Sequence, residues 1–157
     1  MGTVRYGLTG MVLFCCLARA SLLLADAPTP QDKCPVCGMY VAKFPDWTTS
    51  IRYTDGAQRF FDGAKDLFTA YHNPARYAPR KAAAVVASVT VKDYYSLKGI
   101  DGRRAFFVLG SDVFGPMGKE LIPFASEADA RAFMKDHRGN RLLRFKDVTP
   151  QILKTLE

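Results

Sequence analysis

The sequence predicts an α+β fold in which two similar ββαβ units pack together. Each half of the chain gives the order strand, strand, helix, strand, and turn or cap residues separate these elements. Before the helix of each half stand two comparable segments, Phe60-Phe61-Asp62 and Pro123-Phe124-Ala125-Ser126, which indicates an internal repeat. We therefore divide the folded part into a first unit, residues 34–98, and a second unit, residues 99–157.

The first unit begins with two strands joined by a turn. Residues 47–53 are rich in Thr, Ile and aromatic side chains, which favour a strand. Asp55-Gly56 then favours a tight turn into a second strand at residues 58–61. These residues predict a β-hairpin.

A helix and a further strand complete the first unit. We expect Asp62 to cap the helix, and Asn73-Pro74 to end it. Between them, apolar residues recur at helical spacing, namely Ala64, Leu67, Phe68 and Tyr71. Residues 83–92 are rich in Val and Ala and predict a buried strand.

The second unit repeats this order. Residues 104–109 and 121–124 predict two strands, with a turn or loop at Gly115-Pro116-Met117-Gly118 between them. Ser126, with Asp129 three residues later, resembles a capping box and starts a helix that runs to about His137. Residues 141–145 predict the closing strand.

The N-terminal segment predicts export. Residues 1–27 hold one cation at Arg5, an apolar run at 7–17, and small residues that satisfy a cleavage rule after Ala20 or after Ala27. They form a signal peptide or, uncleaved, an N-terminal anchor. Cys16 is a poor match to a lipid-attachment site because Cys15 precedes it, so lipoprotein anchoring stays open. The Pro-containing residues 28–33 are a linker.

The net charge of +7 comes from 22 basic and 15 acidic residues that are scattered along the chain. Nucleic-acid binding needs basic residues gathered on one face, so we expect no nucleic-acid partner. Association with an anionic membrane surface stays open. The sequence shows no Ser-His-Asp order, phosphate-binding glycine loop or paired-carboxylate signature, so we expect no enzyme.

The most specific chemical signal in the sequence is the run Cys34-Pro35-Val36-Cys37-Gly38-Met39. Two thiols and a thioether this close together favour Cu(I), because soft sulfur ligands select it over harder ions. After removal of a leader, Cys34 and Cys37 are the cysteines that remain. Two alternatives stay open, an exported thiol–disulfide redox protein and an interaction module with a structural disulfide.

Three further residues are candidate ligands. Met117 lies between Pro116 and Gly118 in the predicted loop, where a long apolar side chain has little core to fill. If the two units pack together, this loop would bring a second thioether towards Cys37. Alternatively, the Met117 side chain fills the space between the units. His72 and His137 each end a predicted helix, where a histidine stabilised by the helix dipole is the ordinary explanation.

At this point the sequence resembles the NosL family, the copper accessory proteins of nitrous oxide reductase. The resemblance runs from about Cys34 to Val148. It rests on Cys34 to Met39 together with these segments: Phe61-Asp62-Gly63 with Lys65-Asp66, Val91-Lys92-Asp93-Tyr94-Tyr95, Gly110 to Phe124, and Lys135-Asp136-His137.

The resemblance implies a periplasmic metallochaperone that binds one Cu(I) and passes it on for assembly of the copper sites of nitrous oxide reductase. Its partners would be that enzyme and its maturation proteins, and many members are lipoproteins. The family's Cys-x-Met element falls on Cys37 and Met39, and its Gly-Met-Gly element falls on Met117. Cys34 belongs to a double-cysteine motif that only some members share. The resemblance also implies two ββαβ units.

Overall fold

The computed structural model describes residues 27–79 and 85–157. The strands of the first sheet are β1 (Thr49–Tyr53), β2 (Gln58–Phe61), β3 (Val86–Lys92) and β4 (Gly99–Asp101). They are antiparallel and lie in the order β2-β1-β3-β4. The predicted hairpin is present, and Gly56 adopts a positive φ of 84° in its turn, a conformation that glycine adopts readily.

The later strands are β5 (Phe106–Leu109), β6 (Phe114–Gly115), β7 (Gly118–Lys119), β8 (Ile122–Phe124) and β9 (Arg141–Arg144). The second sheet has the order β8-β5-β9, again antiparallel. A separate two-stranded hairpin, β6-β7, lies between β5 and β8 in the chain. In both sheets the first strand of the unit lies between the second strand and the strand that follows the helix. The α+β class and the two similar ββαβ units are therefore confirmed.

Each sheet carries one principal helix. These are α1 (Ala64–His72) in the first unit and α3 (Glu127–Asp136) in the second. Two short helices, α2 (Pro74–Tyr77) and α4 (Pro150–Lys154), and 3-10 turns at Val41–Lys43, Pro45–Trp47 and Phe145–Asp147 connect or follow them. The Ser126 cap is confirmed because its hydroxyl accepts a hydrogen bond from the Asp129 amide.

The expected Asp62 cap is wrong. Gly63 is the N-cap residue of α1, and no side chain of the N-cap forms a capping bond there. The Asp62 carboxylate is instead directed to the Cys37 thiol. The cysteine loop next to the start of the helix therefore contacts the carboxylate that the local sequence pattern assigns to capping.

Strand β4 extends the first sheet past residue 98, where we expected the first unit to end. Its residue Ile100 pairs with Val91 of β3. The chain therefore leaves the first sheet only after Asp101. Strand β4 has three residues, of which Gly99 and Asp101 are exposed, and it lacks the apolar run that predicts a strand.

The hydrophobic core is continuous across the two units. The Phe68 ring of α1 contacts the Phe107 ring of β5 edge-on at 5.2 Å between centroids, and the Phe145 ring at 4.9 Å. A second cluster, around Val108 and Phe133, lies between α3 and the second sheet. The two units thus share one core, which fixes α1 relative to the second unit.

Within residues 27–79 and 85–157, no helix is both long enough and apolar enough to cross a membrane. The predicted leader, apart from Ala27, lies outside the described residues, as does Cys16, which was considered for lipid attachment. The same holds for Ala83 and Ala84 of the strand that we expected at residues 83–92.

Candidate functional site

The cysteine motif forms a closed loop ahead of the first sheet. The Cys34 amide donates a hydrogen bond to the Met39 carbonyl at 2.8 Å, and the Gly38 amide donates to the Cys34 carbonyl at 2.8 Å. Gly38 has a φ of 80°, in the left-handed region that a side chain would disfavour. Lys33 and Tyr40 close the base of the loop through a β-bridge. This tight turn directs both thiols to one side.

Both thiols face carboxylates at the start of α1. The Cys34 thiol donates to Asp66 Oδ2 at 3.2 Å, and the Cys37 thiol donates to Asp62 Oδ2 at 3.3 Å. One ligand atom from each of these four residues lies within 4.8 Å of the others. We call this group of two cysteines and two aspartates the thiol–carboxylate cluster.

Both aspartates lie where the chain enters α1. Asp62 follows strand β2 and precedes the N-cap residue Gly63, and Asp66 lies in the first turn of α1. From these positions Asp62 reaches Cys37 and Asp66 reaches Cys34, so the two carboxylates converge on the cysteine loop. The partial positive charge at a helix N-terminus also favours carboxylates there.

Glu120 belongs to the second unit and lies beside the N-terminus of α1. Its Oε1 accepts hydrogen bonds from the Lys65 amide at 2.6 Å and from the Leu121 amide at 2.8 Å. A Cβ at Gly63 would collide with the Glu120 carboxylate. Glycine at position 63 therefore allows the connection between β7 and β8 to approach α1 closely.

Burial sets the electrostatics of the cluster. Cys34 is 1% exposed, and desolvation raises the pKa of its thiol far above the ordinary value. Cys37 is partly exposed, and desolvation raises its thiol pKa to about 11. Desolvation also raises the pKa of Asp66. Both cysteines are free thiols, and these shifts keep them protonated at neutral pH.

Glu120 is a buried carboxyl that lies outside the cluster. Its side chain is 4% exposed, and desolvation raises its pKa to about 8 although two amides donate to it. The Asp66 charge acts in the same direction. The start of α1 thus concentrates three carboxyl groups, and burial raises the pKa of two of them, Asp66 and Glu120.

The two methionines lie on segments that border the cluster. Met39 ends the cysteine loop and is half-buried. Met117 lies at the tip of the β6-β7 hairpin and is 44% exposed. The Met117 carbonyl accepts a hydrogen bond from Lys65 Nζ at 2.8 Å. Lys65 adjoins Asp66, so the hairpin tip is tied to the first turn of α1.

The two histidines are not members of the cluster. His72 ends α1, at the opposite end from the aspartates, and its Nε2 lies 2.7 Å from the Val148 carbonyl. His137 is the C-cap residue of α3, and its Nδ1 lies 3.2 Å from Asp112 Oδ1. Both positions agree with the helix-end interpretation of the sequence.

The cluster offers two soft and two hard donor atoms. Four such donors suit a borderline divalent ion such as Zn²⁺, which accepts both thiolate and carboxylate ligands. A softer ion such as Cu(I) would use the sulfur atoms and leave the carboxylates as hydrogen-bond partners. Either ion requires the thiols to lose their protons on binding.

Sequence reasoning missed Asp62 and Asp66 as members of the site. The sequence carries little signal for them, because Asp62 is assigned to capping and Asp66 falls on the side of the predicted helix opposite to Ala64, Leu67 and Phe68. An aspartate on that side is ordinarily solvated. The partner was identifiable only once the fold placed the cysteine loop there.

The two ββαβ units and the thiol–carboxylate cluster together define a small α+β protein with a candidate metal site between its cysteine loop and α1. The family model for NosL matches residues 26–153. The chain therefore belongs to the NosL family.

Two curated relatives and one solved structure are similar to this chain. The copper-binding lipoprotein NosL of Stutzerimonas stutzeri is 32% identical over 127 residues, which cover 79% of this chain and 65% of that protein. The protein of the same description from Achromobacter cycloclastes is 28% identical over 144 residues, covering 84% and 74%. The crystal structure of the copper chaperone NosL from Shewanella denitrificans has a TM-score of 0.67 and 29% identity, covering 81% of this chain and 96% of that one.

Proposed function

We propose that this protein is a periplasmic chaperone that binds one Cu(I) and delivers it for assembly of the copper sites of nitrous oxide reductase. The observation that carries the proposal is the convergence of two free thiols in one small loop, with one of them partly exposed. The copper-binding relatives and the copper chaperone structure support the same cargo.

Sulfur donors would hold the ion. Cys37 supplies the accessible thiolate, Met39 and Met117 supply thioethers, and Cys34 supplies a second, buried thiolate. Soft thiolate and thioether ligands select Cu(I) over harder ions. The aspartates would remain beside the site as acceptors for any thiol that keeps its proton.

A redox role fits the site poorly. Thiol–disulfide oxidoreductases use a thiol whose pKa is lowered, so that it is a thiolate at neutral pH. Here, burial and, to a lesser extent, the adjacent Asp62 together raise the thiol pKa of Cys37 to about 11. Such thiols are unreactive as nucleophiles but become ligands when a metal ion displaces their protons.

Delivery would proceed by ligand exchange without turnover. The exposed side of Cys37 allows a sulfur of the recipient to join the ion before a ligand of this protein leaves. The buried Cys34 would hold the ion until that exchange begins. Few ligands and partial exposure suit transfer better than a closed, fully coordinated site.

The proposal also includes the location of the protein and the recipient of its copper. The relatives' description as lipoproteins supports export and membrane attachment. Nitrous oxide reductase and its maturation proteins are the proposed partners.

An anaerobic competition titration against a chromophoric Cu(I) chelator tests the proposal. We expect the reduced protein to bind one Cu(I), and Cys37→Ser to abolish this binding while the circular dichroism spectrum stays unchanged. Met134→Leu, on α3, is the matched control because it changes a sulfur outside the site. Unchanged Cu(I) binding by the folded Cys37→Ser variant would refute the assignment.

A further inference from the structure

The β6-β7 hairpin, with Met117 at its tip, belongs to neither of the two larger sheets. Each of its strands has two residues, and a hairpin of that size is marginally stable by itself. Met117 is 44% exposed, and within residues 27–79 and 85–157 neither hydrophobic cluster includes it. Contacts with other elements must therefore hold the hairpin in place.

Glu120 attaches the base of the hairpin to the start of α1. It directly follows β7, and its Oε1 accepts a hydrogen bond from the Lys65 amide at 2.6 Å. Its side chain lies between two glycines. A Cβ at Gly63 would collide with the carboxylate, and a Cβ at Gly115 would lie 3.0 Å from Cγ. Since Gly63 precedes α1 and Gly115 ends β6, the buried Glu120 side chain fills the space between helix and hairpin.

Lys65 attaches the tip of the hairpin to the same turn of α1. Its Nζ donates a hydrogen bond to the Met117 carbonyl at 2.8 Å. Because this bond is made to the backbone, it restrains the main chain of Met117 and therefore the region that its thioether can reach. Lys65 thus has two contacts with this part of the second unit, through its amide to Glu120 and through its ammonium group to Met117.

The short segment 62–66 also contacts the cysteine loop. Asp62 and Asp66 accept hydrogen bonds from the two thiols at 3.3 Å and 3.2 Å. Gly63 and Lys65 stand between these aspartates and make the contacts with the hairpin and its base. Five consecutive residues therefore fix both of the segments that carry sulfur ligands.

We propose that Lys65 and Glu120 are positioning residues that hold Met117 where its thioether binds the Cu(I) carried by Cys37. This inference rests on the proposed function, in which Met117 is a ligand. A ligand on a loose hairpin would lose conformational freedom when it binds, and that loss would lower the affinity. Contacts that restrain the hairpin in the metal-free protein remove part of this cost.

The sign of the effect separates positioning from simple electrostatics at Lys65. If Lys65 acted only through its charge, it would repel a bound cation, and its removal would strengthen Cu(I) binding. If Lys65 positions Met117, its removal weakens Cu(I) binding, although a repelling charge is lost.

A double-mutant cycle on Cu(I) affinity tests the proposal, with anaerobic chelator competition as the measurement. Lys65→Ala removes the ammonium group but keeps the backbone amide and a residue that favours helix. We expect it to lower the affinity about three- to tenfold, and no more than Met117→Leu does. In the Met117→Leu background the loss should be less than about twofold, because no thioether remains to be positioned. Lys65→Arg, which can still donate to the carbonyl, should restore most of the affinity.

Glu120 should give the same pattern. We expect Glu120→Ala to lower the affinity in the wild-type background but hardly in the Met117→Leu background, whereas Glu120→Gln, which keeps an acceptor oxygen, should retain most of it. The matched control is Lys135→Ala, which removes one charge from an exposed position in the last turn of α3 and should leave the affinity unchanged. Urea denaturation of each variant measures any loss of stability separately.

Three outcomes would overturn the proposal. Equal losses of affinity with and without the Met117 thioether would assign Lys65 and Glu120 to general packing. Stronger Cu(I) binding by Lys65→Ala would leave that residue only an electrostatic effect. Wild-type affinity in Met117→Leu would show that there is no thioether ligand to position. Failure of the proposed function itself would differ from all three, because the wild-type protein would then bind no stoichiometric Cu(I) in the same titration.

Discussion

Cys34 and Cys37 share one loop but differ in their surroundings. Cys34 is almost fully buried against Asp66, whereas Cys37 is partly exposed and faces Asp62. An accessible thiol can receive an incoming ligand from a partner, whereas a buried thiol can only retain the ion. We therefore assign exchange to Cys37 and retention to Cys34.

The methionines give a prediction at the residue scale. Met39→Leu and Met117→Leu each remove one thioether but keep a side chain of similar size. We expect each to lower Cu(I) affinity by about tenfold or less, which corresponds to about 1.4 kcal/mol. Chelator competition measures the change, and Met134→Leu should leave the affinity unaltered. If both site variants keep the wild-type affinity for Cu(I), neither methionine is a ligand and both have an ordinary packing role.

At this scale the sequence identified the cysteines as neighbours but not their partners. The spacing of Cys34 and Cys37 is local, so a turn alone brings the thiols together. Asp62 and Asp66 lie 25 to 32 residues further along the chain. Their contact with the thiols depends on how β1, β2 and α1 pack, which local patterns do not encode.

The start of α1 is the element on which the site depends. It presents both aspartates to the cysteine loop and receives Glu120 from the connection between β7 and β8. The Glu120 side chain cannot withdraw easily, because Oε1 accepts two backbone hydrogen bonds. This element therefore couples the two units directly beside the candidate metal site.

Gly63→Ala tests that close approach. The added methyl group would collide with the Glu120 carboxylate, and we expect a loss of about 1 to 3 kcal/mol in the free energy of unfolding. Urea denaturation measures the loss. The same change in a Glu120→Ala background should cost clearly less, because the obstacle is absent. Equal costs in both backgrounds would show that Glu120 does not restrict this position.

Glu120 also predicts a pH dependence. Its pKa is about 8 in the folded protein, compared with an ordinary value of 4.5. The folded state therefore binds more protons than the unfolded state between these values, and the Glu120 contribution to the free energy of unfolding falls as pH rises. At about 1.4 kcal/mol per pKa unit, the total fall is at most a few kcal/mol.

Glu120→Gln removes this dependence while its amide oxygen can still accept the two backbone hydrogen bonds. We expect the variant to gain stability relative to the wild-type protein as pH rises from about 5 to about 8, and the difference to level off above that. Urea denaturation across this range measures it. Parallel stability curves for the two proteins would contradict the raised pKa.

The principal elements were predictable because each has a local signal. The hairpin has Asp55-Gly56, and α3 has its Ser126 cap. Strand β4 lacks such a signal, since pairing with β3 stabilises it. Helix α4 has one, the Thr149 cap followed by Pro150, which the sequence prediction did not use. The cap of α1 was mispredicted because a tertiary contact with Cys37 replaces the local bond of Asp62.

The whole molecule is held together by the core that joins its units. The Phe68 ring of α1 packs against Phe107 and Phe145, which both lie in the second unit. Such shared burial makes independent unfolding of either unit unfavourable, because it would expose the apolar surface of the other. We infer that the units unfold together.

Phe68→Ala tests the shared core. We expect it to lower the free energy of unfolding by about 3 to 5 kcal/mol, whereas Phe114→Ala, at an exposed position, should change it little. The fluorescence of Trp47, which packs against the second cluster, and far-ultraviolet circular dichroism should report one coincident transition. Two separated transitions would contradict a shared core.

The central claim is that sulfur atoms of this chain, Cys37 foremost, bind Cu(I). Copper K-edge X-ray absorption of the anaerobically loaded protein tests it most directly. The account predicts a Cu(I) edge and a coordination shell of sulfur alone, which Cys37→Ser should disrupt. A Cu(II) edge, or a shell dominated by oxygen from Asp62 and Asp66, would contradict it.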